Sequence, residues 1–256
     1  MSDLFTRPQL KAGSLRRGLS PTLWNQAPLA QIAAGGLDQG FGDKDDFLSY
    51  SVDDAGWNLT QDGSAGTAIM DPAAIGGVLL LDSASSSAGL GPDLQLGGAI
   101  AASSFIASAS SKIYFEARVK FVDIGSTTLQ MFVGMSAVTA PLIDSNANAS
   151  ANHVGFESFD SLTLSFASEK ATVRSVDTSA GTIAEDTYVK LGFVIDGLTK
   201  VTPFVNGDAG TAITTGSTNI PILGMTPSLC IRSAGTTDPI MHIDWVAYYQ
   251  EENIAN

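Results

Sequence analysis

Hydrophobic and polar side chains alternate over much of the chain, and the clearest run is Ser111–Phe121, SKIYFEARVKF. Ile113, Phe115, Ala117, Val119 and Phe121 fall on one side of an extended chain, and Tyr114, Glu116, Arg118 and Lys120 on the other, because successive side chains of a strand point to opposite faces. The pattern predicts a strand with one dry and one wet face, which suits an antiparallel sheet better than a parallel one buried on both sides. Similar alternation marks Leu162–Ala167, Tyr188–Ile195 and Met241–Tyr249, the last with Met241, Ile243, Trp245, Ala247 and Tyr249 on one face. Shorter runs predict strands at Trp57–Thr60, Ala68–Met70, Gly77–Asp82, Leu129–Ser136, Val154–Phe159, Ala171–Ser175, Val201–Val205 and Leu229–Arg232. Asp196-Gly197 and Asn206-Gly207 supply hairpin-type turns. Ser83–Ser111 reads as a long connection holding one or two strands, and DSNANASANH, residues 144–153, as a loop too polar and small to pack. About twelve strands at this spacing, without an internal repeat, predict an all-β sandwich or barrel.

Residues 1–36 lack this alternation. Pro8, Pro21 and Pro28 interrupt them, and only Ser20-Pro21 offers a helix start, for a short helix ending near Pro28. The expected organisation is an extended N-terminal arm over 1–36 and one sandwich domain over 37–256. Charge sharpens this division. Residues 1–30 hold Arg7, Lys11, Arg16 and Arg17 against Asp3, a net +3, whereas the other 226 carry nine Lys or Arg against 25 Asp or Glu, a net −16. The body should repel nucleic acid and anionic membrane, while the arm should lie along an acidic partner surface. Arg7, Lys11, Arg16, Arg17, Leu23 and Trp24 are the expected partner-docking residues, the last two because large apolar side chains are costly to leave in water.

Candidate chemistry is sparse. Cys230, between Leu229 and Ile231, reads as an inert packed thiol. Asp43, Asp45 and Asp46 offer oxygen ligands to calcium, but without the glycine and glutamate of a helix-loop-helix site they read as a solvated acidic turn. His153 and His242 are too few for a zinc site, and His242 is expected to touch Asp244 two residues on. No cofactor and no catalytic residue is expected. No run has the length of a secretion signal or a membrane span, so a soluble protein outside the secretory route is expected.

The order of YFEARVKF, YVKLGFVIDG, VTPFVNG and HIDWVAYYQ resembles the concanavalin A-like lectin/glucanase jelly roll, an antiparallel β-sandwich of two curved sheets, over about residues 41–250. In glucanases of that family the catalytic strand carries a Glu-x-Asp-x-x-Glu pattern, because retaining hydrolysis needs two carboxylates about 5 Å apart. The corresponding TLQMFVGMS has no acid, and Glu157, Asp160 and Glu169 do not have the spacing, so no enzyme is expected. A lectin would use an exposed aromatic, with Trp57 beside Asn58, or Tyr248, as candidates. The basic arm and the acidic Ser/Ala/Thr-rich body together resemble a tailed-bacteriophage virion protein of the head-decoration kind, with a tail fibre or spike as neighbour. That resemblance implies a structural protein on the capsid exterior, made in the host cytoplasm. Its implied partners are the major capsid protein, neighbouring copies in a homo-oligomer such as a trimer, and surface glycans.

Overall fold

The computed structural model describes residues 18–25, 27, 40–51, 56–61, 66–84, 89–97, 105–125, 129–137, 141–144, 148–214, 218–235 and 237–251. They form strands β1 (Gly40–Asp45), β2 (Trp57–Gln61), β3 (Thr67–Met70), β4 (Leu79–Asp82), β5 (Pro92–Leu96), β6 (Lys112–Val122), β7 (Leu129–Ser136), β8 (Ile143–Asp144), β9 (Asn148–Ala149) and β10 (His153–Phe159). The remaining strands are β11 (Thr163–Lys170), β12 (Val173–Thr182), β13 (Val189–Asp196), β14 (Lys200–Val205), β15 (Asp208–Ala209), β16 (Thr226–Ser233) and β17 (Ile240–Glu251). No described element is an α-helix.

Two large antiparallel sheets stack face to face. One has the order β15-β14-β13-β6-β17-β4-β3, with β1 also on β17, and the other β12-β11-β10-β7-β16-β5-β2. Their inner faces share one core. Within it Phe115 stacks on Phe193 at 5.1 Å, Phe193 meets Phe166 of the opposite sheet at 5.7 Å, and Phe166 meets Phe156 at 4.9 Å. Each large side chain so buried stabilises the fold by about 1.5–3 kcal/mol. The hairpin turns form as expected, with Gly197 (φ 62°), Asn206 (φ 54°) and Gly207 (φ 87°) in the left-handed region.

Three expectations change. β17 does not keep one face throughout: its register to β6 passes from Ile243↔Val119 to Trp245↔Arg118, so Asp244 is an extra residue. Met241, Ile243, Val246 and Tyr248 therefore point into the core, while Trp245, Ala247 and Tyr249 point out. β6 also lacks a uniformly wet outer face, since Tyr114 and Glu116 are both 1% exposed. What covers them is the N-terminal segment. Around Ser20-Pro21 it makes a single turn, with Trp24 N donating to Ser20 O at 3.1 Å, in place of the expected helix. Leu23 and Trp24 then pack with Tyr114, Trp245, Ala247 and Tyr249.

Irregularity also marks a sheet edge. Leu164 of β11 pairs with Gly181 and Phe166 with Asp177, so Thr178, Ser179 and Ala180 of edge strand β12 stand opposite Ser165 alone.

Candidate functional site

The face that the family resemblance implicates in catalysis surrounds β7, the middle strand of the seven-stranded sheet. With Met131, Val133 and Met135 in the core, Gln130, Phe132, Gly134 and Ser136 point outward, and none is an acid. Register places Asp93, Cys230, Phe132 and Glu157 side by side across β5, β16, β7 and β10. Three inter-strand steps put the backbones of the two acids about 14 Å apart. Retaining hydrolysis requires two available carboxyl groups about 5 Å apart, and each of these is instead held by an arginine.

Both acids are engaged. Arg232 Nη2 donates to Asp93 Oδ2 at 3.0 Å with both side chains buried, and Arg232 Nη1 donates to Gly89 O at 2.9 Å. Arg174 bonds Glu157 Oε1 and donates to Glu169 Oε2 at 3.2 Å. Burial pushes the carboxyls of Asp93 and Glu157 up, with their arginines opposing it. Cys230 lies against Asp93, and burial raises its thiol well above the ordinary value, as befits an inert packed cysteine.

A flap closes over this face. The short pair β8-β9 lays Leu142, Ile143 and Ala149 on Phe132, Cys230 and Phe159. Its backbone is tied to the acids beneath: Leu142 N donates to Asp93 Oδ2 at 3.4 Å and Ala149 N to Glu157 Oε2 at 3.5 Å. The segment expected to be too polar to pack therefore contributes Ala149, and it ends in His153, 0% exposed.

His153 Nδ1 bonds Ser150 O at 2.7 Å, its ring meets Phe132 edge-on at 5.5 Å, and its Nε2 lies 3.9 Å from Glu157 Oε2. His153 and Glu157 can lean together because Gly155 stands between them; a Cβ there would sit 2.8 Å from Phe132 Cε2. Burial lowers the imidazole from 6.5 to about 4, with Arg174 adding to the effect, so the contact is one of neutral imidazole with carboxylate and not an ion pair. A histidine kept neutral by the fold takes up a proton more readily once unfolded. Its contribution is complete above pH 6.5 and is lost as the pH falls toward about 4. The loss amounts to about 3 kcal/mol. Urea unfolding at pH 7 and pH 4 should show wild type losing about that much more stability than His153→Gln, the buried carboxylates being common to both. Parallel pH profiles would rule out a dry, neutral imidazole.

The second constructed place is the seat of residues 18–27. Glu116 Oε2 accepts from Ser20 N and from Trp24 Nε1, each at 2.9 Å. Burial raises the Glu116 carboxyl, opposed by those donors and by Lys190, whose Nζ donates to Gly18 O at 2.5 Å. Thr22 Oγ1 donates to Gly207 O. Trp24 stacks on Tyr114 at 5.7 Å, and Leu23 fits over Gly192, where a Cβ would come 2.5 Å from Leu23 Cδ1. Two of the six expected docking residues, Leu23 and Trp24, are thus buried on the chain's own sheet. Arg7, Lys11, Arg16 and Arg17 lie outside the described residues.

Other candidates are used structurally. Asp45 accepts from Phe47 N at 2.7 Å and Trp57 Nε1 at 2.8 Å, Asp46 holds Lys44, and Asp43 Oδ1 accepts from Lys44 N at 2.7 Å. Among the described residues no group of three or more His, Cys, Asp or Glu is arranged to hold a metal. His242 lies 3.7 Å from Asp71, not on Asp244, which the extra-residue bulge hands to Arg118 at 2.5 Å. Trp57 and Tyr248 are core residues, so neither is an exposed stacking platform.

No protein-family model matches the chain, and no curated protein does. Solved structures do. A protein of unknown function from Shewanella oneidensis aligns with TM-score 0.60 and 13% identity over 94% of this chain and 98% of that one. An endo-β-1,3-glucanase from Pyrococcus furiosus aligns with TM-score 0.53 and 12% identity, over 82% and 94%. The carbohydrate recognition domain of Emp47p aligns with TM-score 0.54 and 10% identity, over 82% and 96%. At these identities the likeness is one of fold, and the fold is the antiparallel jelly-roll sandwich of the concanavalin A-like class.

Proposed function

We propose that this protein is a structural, non-catalytic component of a tailed-bacteriophage virion, a head decoration protein that binds the capsid shell through residues preceding Gly18. What carries the proposal is the seat of residues 18–27. It holds the residues that follow a basic stretch, Arg7, Lys11, Arg16 and Arg17 against Asp3, at one place on a body of strongly negative charge. A tether rooted in a buried Leu-Trp pair transmits position, which a decoration protein needs and a free tail lacks. The partners in this proposal are the major capsid protein and neighbouring copies, on the capsid exterior, after synthesis in the host cytoplasm.

Deletion has to stop at residue 17, because Leu23 and Trp24 belong to the fold. The shortened chain should remain folded and soluble yet no longer co-sediment with particles. Changing Arg16 and Arg17 to Glu should weaken attachment more at low salt than at high salt. Full-occupancy decoration by the shortened chain would overturn the proposal and move docking to the sandwich.

A glycan-binding module is the second reading, favoured by one observation: beneath the flap Phe132 lies between Cys230 and Glu157, with Gln130 two residues along its own strand and Asp93 one strand beyond Cys230, an aromatic with polar groups near it. Micromolar or tighter binding to a defined sugar on a glycan array, lost in Phe132→Ala, would place this reading first. Hydrolysis of laminarin or mixed-linkage glucan is expected to be nil, since both acids are held by arginines. Turnover abolished by Glu157→Gln would refute that.

A further inference from the structure

The seat on the eight-stranded sheet has the features of a peptide-recognition site. Its floor is made by β6, β13 and β17, elements far in sequence from the segment they hold. It recognises main chain and side chains together. The carboxylate of Glu116 takes a backbone N–H and an indole N–H, Gly207 O takes the Thr22 hydroxyl, and the Gly192 gap admits Leu23. Trp245 Nε1, fully buried in the floor, has no hydrogen-bond partner among the described residues.

Nothing in this recognition requires that segment and seat belong to one molecule. Residues 18–25 and 27 add no strand to either sheet, and twelve residues, 28–39, separate them in sequence from β1. A twelve-residue link spans at most about 40 Å. A body of this length has a radius of gyration of roughly 18 Å, so the seat of an adjacent copy is within reach. In an isolated molecule the link keeps the segment at millimolar effective concentration, which favours its own seat. Copies held side by side present neighbouring seats at comparable concentration, and exchange of an identical element between them then has little thermodynamic cost.

We propose that this face is a binding seat for the Ser20–Trp24 peptide which accepts the segment of a second copy of the chain as well as its own, linking neighbours by exchange. The proposal stands on the seat's geometry and does not depend on the virion reading.

Complementation tests it in the full chain. Trp24→Ala weakens the segment and leaves the seat intact, whereas Glu116→Ala weakens the seat and leaves the segment intact. Mixed together, the two should form a one-to-one heterodimer by native mass spectrometry that neither forms alone. A mixture of folded variants that stays monomeric overturns the proposal. Should either variant fail to fold, a fluorescein-labelled peptide of residues 18–27 titrated onto the wild-type chain decides. Binding at least about tenfold weaker for the peptide carrying Trp24→Ala supports the seat, against the competition expected from a tethered segment. Equal binding of the two peptides, or none at peptide well above the millimolar effective concentration of the tethered segment, overturns it.

Discussion

Trp24→Ala is expected to lower the unfolding free energy of the full chain by about 3–5 kcal/mol, the cost of emptying a large aromatic from a packed interior. Trp24 is 3% exposed, stacks on Tyr114 and gives its indole N–H to Glu116. Truncation therefore opens a cavity over Tyr114 and removes one of the donors that make a buried carboxylate tolerable. At about 2–4 °C per kcal/mol for a domain of this size, the melting temperature should fall by roughly 10 °C. Leu48→Ala is the matched control, since Leu48 is 77% exposed and its loss should stay within about 0.5 kcal/mol. Equal small effects from the two would show that residues 18–27 do not rest on the sheet in solution.

Arg232→Met should cost a similar amount, about 3–5 kcal/mol, because it leaves Asp93 buried without its cation. Arg232 and Asp93 have side chains 2% and 1% exposed, and burial already pushes the Asp93 carboxyl up. Adding Asp93→Asn to Arg232→Met should recover much of the loss, since a neutral amide is far less costly there than a carboxylate. A double-mutant cycle measures that coupling. Lys120→Met, by contrast, removes a cation whose partner Asp186 is 73% exposed, and a solvated ion pair of that kind contributes little. Additive losses at Arg232 and Asp93 would mean that the pair is solvated, and that the flap above it stands open.

Much of this architecture was legible in the alternation of side chains, and its failures have local causes. The β6 strand was readable because its inward side chains are uniformly apolar, and β7 because each core position is large. The face change in β17 was not readable. A bulge inserts one residue without altering composition, and Trp245, Ala247 and Tyr249 are as apolar as the core residues whose place they were given. Their apolar character did carry information: it matches a second apolar surface, the Leu23–Trp24 seat. The strand β1 was read as an acidic turn because GFGDKD has few apolar residues, yet it pairs with β17 along its whole length. Alternation reports burial on one face, and backbone pairing at a sheet margin leaves no such trace. The polar face under the flap was equally hidden. Asp93, Glu157, Arg174 and Arg232 are far apart in sequence, and only the strand order unites them.

The looped-out Thr178–Ala180 in β12 bears on behaviour at high concentration. Strand β12 is the outermost of its sheet, and an open edge of ten residues is an invitation to pair with any other extended chain. The interruption after Asp177 leaves only Val173–Asp177 in line, and Asp177 turns its carboxylate back on Ser179 N at 3.1 Å. A foreign strand zipping along this edge would lose register after five residues, short of the six or seven that seed a steric zipper. Molecules crowded together can then touch along this margin without fusing into a continuous ribbon, and straightening the edge by deleting Thr178 and Ser179 should make the protein scatter light at concentrations where the wild type stays clear.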